Sequence, residues 1–203
     1  MSIFKQLTDK SWETQGTLED DSVEAVLLPN AKVAFWVFLG VISMVFALFT
    51  VAYNMRLELG DWQPLQDPPI LWLNTALLIL SSVAMQVARV AAGSGDIKRT
   101  RLGLTVGGIC SIAFLLGQYW AWQQLRLAGF YIASGPADAF FYLITGLHAI
   151  HVLGGLWVWA RTSVKVWRGA ALEKVQLSVE LCTVYWHFLL IVWAVLFGLL
   201  LST

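Results

Sequence analysis

Long runs of apolar residues alternate with short polar connections along this 203-residue chain. About 20 apolar residues let a helix cross the hydrocarbon core of a bilayer, because the helix satisfies its own backbone hydrogen bonds. The runs that reach this length cover residues 34–53, 70–90, 102–125, 137–159 and 179–201. The pattern therefore predicts an all-α integral membrane bundle of five transmembrane helices.

The connections give this bundle a direction, because short loops rich in Lys and Arg stay on the cytoplasmic side of a membrane. Eleven of the 13 basic residues fall in the N-terminal segment and in the loops after the second and fourth spans. Only Arg56 and Arg126 fall on the opposite side. We therefore expect the N-terminus inside the cell and the C-terminus outside.

The composition divides the chain into two regions. Residues 1–33 are expected to form an acidic cytoplasmic N-terminal arm, and residues 34–203 the transmembrane domain. The formal net charge is zero and the charges are sorted between the two sides, so the sequence gives no sign of a nucleic-acid partner. Several tryptophans stand near the ends of spans, where indole rings anchor a protein in the headgroup layer; they include Trp62, Trp72, Trp120, Trp122, Trp159 and Trp167.

Ionisable residues inside a span are costly, so each one is a candidate for function. All three histidines fall within spans, His148 and His151 in the fourth and His187 in the fifth, and Glu180 lies near the inner end of the fifth. The spacings of three and seven residues place each pair on one helix face. The two faces can therefore meet.

This polar set has three interpretations. A metal site is one, but apart from Asp138 in the first turn of the fourth span the spans contain no second carboxylate for a di-iron pair, and they contain no Cys at ligand spacing. A proton relay is another, but the first three spans supply no Asp, Glu or His to continue it. The favoured interpretation is a cluster that fastens helices by hydrogen bonds, each worth about 0.6 kcal/mol in membranes.

Small and weakly polar residues add a second candidate surface. Gly146, Gly154 and Gly155 in the fourth span allow close helix approach, and Asn74 and Thr75 begin a polar face on the second span. We expect these residues to pack helices together, within the chain or against a partner.

Two C-terminal stretches resemble a known family. The run from Thr145 to Gly155, with both histidines of the fourth span, resembles the signature helix of subunit III of haem-copper terminal oxidases. The fifth span, from Glu180 through Tyr185-Trp186-His187-Phe188 to Trp193, resembles the last helix of that family. Leu73-Asn74-Thr75 after a Pro-rich loop resembles an earlier helix start, and the five-span count matches the short bacterial form.

The resemblance implies a non-catalytic accessory subunit of a respiratory oxidase, of the cytochrome c oxidase type, in a bacterial inner membrane. It implies direct packing against the catalytic subunit I, beside subunit II and other members, and support of its stability during oxygen reduction and proton pumping. Haem and copper are expected in those partners, with bound phospholipid and no metal in this chain. The matching residues, with a structural and lipid-associated role, are His148, His151, Glu180, Tyr185, Trp186 and His187.

Two positions depart from the pattern that this family usually has. Met44 stands where a membrane-buried Glu is usual, and Leu190 stands where an Asp is common. Both changes remove charge from the bilayer, which favours a scaffold over a proton handler. The alternatives are an accessory subunit of a quinol oxidase or nitric oxide reductase, and an independent intramembrane metalloprotein that uses the three histidines and Glu180.

Overall fold

The computed structural model describes residues 19–59 and 69–202, with side chains for residues 30–59, 69–171 and 175–202. These residues form five α-helices, which are α1 Glu19–Leu57, α2 Ile70–Gly93, α3 Ile97–Leu127, α4 Pro136–Trp167 and α5 Leu172–Leu201. Each helix is long and apolar enough to cross a membrane. The predicted all-α bundle of five spanning helices is confirmed.

The helices are longer than the apolar runs that predicted them. α1 begins at Glu19, inside the expected arm, and α4 continues to Trp167, beyond the predicted end at residue 159. At a rise of 1.5 Å per residue, α4 is about 48 Å long, against a hydrocarbon core of about 30 Å. The polar helix ends therefore continue into the headgroup layers. Residues 1–18 of the expected arm and the Pro-rich connection 60–68 lie outside the described residues.

Contacts divide the chain into two compact units, one up to Val41 and one from Ile42 onward. In the first unit, α1 carries exposed apolar side chains, including Val33 and Trp36. In the second unit, α2 packs most extensively against α3, α5 packs against both α2 and α4, and α3 packs against α4. The core of the second unit is built from fully buried large side chains, among them Leu71, Met85, Leu104, Phe114, Phe141 and Trp193.

The turn between α2 and α3 shows how the sequence sets helix ends. Gly95 follows α2 with a φ of 78°, a conformation that costs glycine little. Asp96 then caps α3, because its side chain accepts hydrogen bonds from the backbone N–H groups of Lys98 and Arg99, both at 3.0 Å. α2 therefore ends at Gly93 and α3 begins at Ile97, between the predicted spans 70–90 and 102–125.

Arg101 joins the start of α3 to the end of α4. Its Nη2 donates hydrogen bonds to the carbonyl oxygens of Val166, at 3.2 Å, and Trp167, at 3.4 Å. Its guanidinium also lies 5.0 Å from the centre of the Trp167 ring. A cation at a helix C-terminus satisfies carbonyls that have no partner within the helix and complements the helix dipole.

Indole groups hold neighbouring helices together inside the second unit. Trp122 Nε1 donates to Thr145 Oγ1 at 3.1 Å, and Trp159 Nε1 donates to the carbonyl oxygen of Leu104 at 2.8 Å. A side chain on Gly108 would collide with the Trp159 ring, so this glycine makes room for the indole. Trp122 and Trp159, expected as membrane anchors, thus also join α3 to α4.

Candidate functional site

His148 lies at the centre of the bundle in an aromatic enclosure. Its side chain is fully buried, and the nearest ring centres belong to Trp193 at 5.2 Å, Phe114 at 5.7 Å and Phe46 at 6.4 Å. Neither ring nitrogen has a hydrogen-bond partner among the described residues. His148 therefore contributes packing to this enclosure and no hydrogen bond.

His151 lies one turn further along α4, with its ring beside Phe46 of α1 and its backbone carbonyl at the contact with α5. Its Nδ1 pairs with the carbonyl oxygen of Leu147 at 2.8 Å, and its ring lies 5.4 Å from that of Phe46. The hydroxyl of Tyr185 on α5 donates to the carbonyl oxygen of His151 at 3.1 Å. A Cβ on Gly155 would approach Tyr185 Cε1 to 2.7 Å, so the absent side chain lets the tyrosine lie against α4.

Trp186 connects α5 to both α2 and α3. Its Nε1 lies 2.8 Å from the hydroxyl oxygens of Ser81 and Ser111, which are themselves 2.8 Å apart. Both hydroxyls also reach the carbonyl oxygen of Gly107, at 2.7 and 2.9 Å. All three side chains are buried, so this group satisfies its polar atoms internally.

His187 and Glu180 both pair with side chains of α2. His187 Nδ1 pairs with the hydroxyl of Ser82, and its Nε2 lies 3.2 Å from Gln86 Oε1. Glu180 Oε1 lies 3.3 Å from Arg89 Nη2, with both side chains partly exposed. The spacing of seven residues on α5 therefore matches a polar seam along α2.

Asn74 and Thr75 face different neighbours near the start of α2. The amide of Asn74 donates to Gln118 Oε1 on α3 at 3.4 Å, and a Cβ on Gly117 would collide with Asn74. Thr75 Oγ1 accepts a hydrogen bond from Trp193 Nε1 on α5 at 2.9 Å. Both residues thus lie at contacts of α2 with other helices.

The three glycines predicted for helix packing differ in their surroundings. Gly155 lies against Tyr185, as described above. A Cβ on Gly146 would lie 3.9 Å from Trp122 Cζ2, which is an ordinary van der Waals distance. A Cβ on Gly154 would have no atom within 4 Å. The described chain therefore makes a close helix approach only at Gly155 of these three.

The polar side chains predicted from the sequence occupy three separate places. His148 and His151 lie with α1, α3 and α5, Trp186 lies with two serines, and Glu180 and His187 line the seam along α2. Within the described residues, no group of three or more His, Cys, Asp or Glu side chains is placed to hold a metal ion. These hydrogen bonds and ring contacts join neighbouring helices.

Several partners of these residues were not predicted. Ser111 and Gln118 are fully buried on α3 and stand seven residues apart, and Gln86 and Arg89 stand three apart on α2. Both spacings place two polar groups on one helix face. This periodicity could have identified them, whereas the side chains that they bind depend on how the helices are rotated.

The fold and these contacts define a multi-pass membrane protein whose polar intramembrane residues bind one helix to the next. Residues 30–201 match the family model described as cytochrome c oxidase subunit III. The chain belongs to that family, whose members are accessory subunits of haem-copper oxidases in respiratory chains. The resemblance drawn from the fourth and fifth spans is confirmed.

Curated relatives agree with this family. A probable cytochrome c oxidase subunit 3 of Mycobacterium tuberculosis is 32% identical over 193 residues, which covers 91% of this chain and 94% of the relative. The cytochrome c oxidase subunit 3 of Corynebacterium diphtheriae is 30% identical, covering 86% and 89%. A heme-copper oxidase subunit I+III of Aeropyrum pernix is 27% identical and matches 87% of this chain over 23% of its own length.

Proposed function

We propose that this chain is a non-catalytic subunit that packs directly against the catalytic subunit I of a cytochrome c oxidase in a bacterial inner membrane. In this role it holds phospholipid and keeps subunit I stable while that subunit reduces oxygen and pumps protons. Subunit II and the other members of the complex are further partners. Haem and copper belong to the partner subunits.

The observation that carries this proposal is the use of polar residues inside the bundle. Trp186, His187, Glu180 and Tyr185 each bind a neighbouring helix. A side chain committed to such a contact is a poor candidate for a nucleophile, a general base or a metal ligand, since its polar atoms are already occupied. The arrangement suits a scaffold.

Contact with subunit I is supported by the relative from Aeropyrum pernix, whose name joins subunits I and III in one polypeptide. Covalent fusion keeps two domains close at a high effective concentration, which suits partners that bind one another. We extend this association to the present chain.

Two features support phospholipid binding. An apolar groove of about 410 Å³ lies between the second half of α1 and α5, lined by Phe46, Thr50, Phe188 and Ile191 among others, and it suits an acyl chain. Basic side chains at the proposed inner helix ends suit phosphate groups. These are Arg161, together with Arg89 and Arg99, each of which also pairs with a carboxylate of the chain.

The first test is co-purification. We expect a tag on this chain to recover a larger haem-containing subunit from bacterial membranes solubilised in mild detergent, with the reduced-minus-oxidised haem spectrum as the readout. An eluate that contains the chain but no haem protein would contradict the proposed association.

The second test separates a scaffold from a catalytic part. We expect Glu180→Gln and His187→Ala to shorten the working lifetime of the complex during turnover, because the first removes the charge that pairs with Arg89 and the second removes the pairings with Ser82 and Gln86, while initial oxygen consumption stays close to wild type. Gln124→Ala, at an exposed position of α3, is the matched control. A fall of about a hundredfold in the initial rate of an assembled complex would instead assign these residues to the chemistry.

A further inference from the structure

A second cavity lies at the end of the bundle opposite Arg89 and Glu180. It has a volume of about 550 Å³, is partly open to the surroundings, and lies between the last turns of α3, residues 131–133 of the following loop and the first turns of α4. Four aromatic side chains line it together with one cation. These are Tyr119, Trp122, Tyr131, Tyr142 and Arg126.

Hydrogen bonds within the chain hold most of this wall in place. The Tyr142 hydroxyl donates to the carbonyl oxygen of Phe130 at 2.9 Å, which ties α4 to the loop. The indole of Trp122 is held by Thr145, and the Tyr119 hydroxyl accepts a hydrogen bond from Gln123 Nε2 at 2.7 Å. The cavity is thus preformed, which lowers the entropy cost of binding a ligand.

One face of α3 presents these groups in order along the helix. Tyr119, Trp122 and Arg126 lie at spacings of three and four residues, so they share a face. Arg126 lies about 10 Å further toward the helix end than Tyr119. The face therefore changes from aromatic, where the helix crosses the bilayer, to cationic, where it leaves it.

Arg126 is the charged group of this cavity. Within the described residues, no carboxylate lies at ion-pair distance from its guanidinium, whereas Arg89 pairs with Glu180 and Arg99 pairs with Asp96. Its position in the last turn of α3 complements the helix dipole, but that interaction leaves the side-chain donors available. A guanidinium presents donors in a fork that matches the oxygens of a phosphate group.

We propose that this cavity binds the headgroup of a phospholipid from the leaflet at this end of the helices. Arg126 holds the phosphate, and the rings of Tyr119, Trp122 and Tyr142 cover the glycerol region and the first methylenes of the acyl chains. The order of aromatic and cationic groups along α3 matches the order of acyl chain and phosphate in a lipid. A free phosphate ion would use the cation alone and would leave the aromatic face without a role.

This site is distinct from the groove and the inner-end basic residues invoked under the proposed function. Co-purification with a haem subunit can therefore succeed when this site fails. Conversely, lipid retention at this site can be measured on the purified chain without any haem subunit.

The test is native mass spectrometry of the full chain in mild detergent, titrated with dioleoyl phosphatidylglycerol and, separately, with dioleoyl phosphatidylcholine. We expect Arg126→Gln to weaken binding of one lipid about tenfold, because a charge-assisted contact to phosphate is lost. Arg168→Gln, which removes an exposed cation at the other end of the bundle, should leave this binding step unchanged. Arg126→Lys should retain part of the affinity, since it keeps the charge but loses the fork.

Three outcomes would overturn the proposal. Equal lipid binding by the wild type and Arg126→Gln would show that Arg126 does not hold the phosphate group. Competition by millimolar inorganic phosphate in place of lipid would assign the site to a free ion. Loss of a polypeptide from the purified complex in Arg126→Gln, with lipid binding unchanged, would assign the cavity to a protein partner.

Discussion

A buried polar atom without a partner reduces stability, and His148 has two of them among rings that offer no ordinary hydrogen bond. The desolvation of such a group typically costs about 1–3 kcal/mol. Its neighbours Phe46, Phe114 and Trp193 would accept an aromatic hydrocarbon of similar size. His148 therefore contributes to this region through the packing of its ring and not through hydrogen bonds.

We predict that His148→Phe leaves the free energy of unfolding unchanged or raises it by about 1 kcal/mol. His187→Phe is the matched comparison, because it removes the pairings with Ser82 and Gln86, and we expect it to lower stability by about 1 kcal/mol. Thermal melting of the purified chain in detergent measures both. Equal damage from the two substitutions would mean that His148 binds something polar.

Two adjacent glycines on α4 allow an equally direct comparison. A Cβ on Gly155 would press on the ring of the buried Tyr185, whereas one on Gly154 would point into open space. We predict that Gly155→Ala destabilises the bundle by about 1–3 kcal/mol through overpacking. Gly154→Ala should be neutral or slightly stabilising in the same melting experiment, since alanine favours helix. Similar melting temperatures for the two variants would show that Tyr185 moves aside without cost.

The sequence distinguishes such residues only in part. His148 and His151 were recognised as intramembrane polar groups from their position alone. Their separate surroundings, an aromatic enclosure for one and a backbone contact to Tyr185 for the other, depend on the rotation of α4. Periodicity places a residue on a face, but it does not say which helix that face meets.

At the scale of elements, the apolar runs predicted the number and order of the helices, because bilayer thickness sets a minimum length for each span. They underestimated the ends of α1 and α4, where polar residues continue the helix beyond the hydrocarbon. The structure shows local signals at two helix starts, where Asp96 caps α3 and Pro136 occupies the first position of α4. The C-terminal end of α4 contacts Arg101 of α3, and the local sequence around residue 167 does not predict this contact between helices.

That contact is Arg101, and it gives a prediction for α4 as an element. We expect Arg101→Lys to increase amide hydrogen exchange in the last turn of α4, because the shorter lysine keeps the charge but loses the stacking of the planar guanidinium on Trp167 and reaches the carbonyls of Val166 and Trp167 less well. Arg161→Lys, an exposed change on the same helix, is the control. Exchange at residues 164–167 equal to wild type in Arg101→Lys would indicate that the α4 end is stable without this bond.

At the scale of the whole molecule, the family and the bundle follow from sequence patterns, but the orientation in the membrane rests on the basic residues alone. Eleven of the 13 fall in the N-terminal segment and in the loops after the second and fourth spans, and two, Arg56 and Arg126, fall in the remaining loops. Short loops with this bias stay in the cytoplasm. The turn at residues 94–96 should therefore face the cytoplasm, and the 128–135 loop should face outward.

We predict that a membrane-impermeant thiol reagent applied to intact spheroplasts labels Ala133→Cys and leaves Ser94→Cys unlabelled until the membrane is permeabilised. Both positions are exposed, so accessibility differs by side and not by burial. The native thiols Cys110 and Cys182 lie within α3 and α5, and they are replaced by alanine in the background to remove their signal. Labelling of Ser94→Cys in intact spheroplasts, with Ala133→Cys protected, would invert the topology and would place the cavity at Arg126 in the inner leaflet.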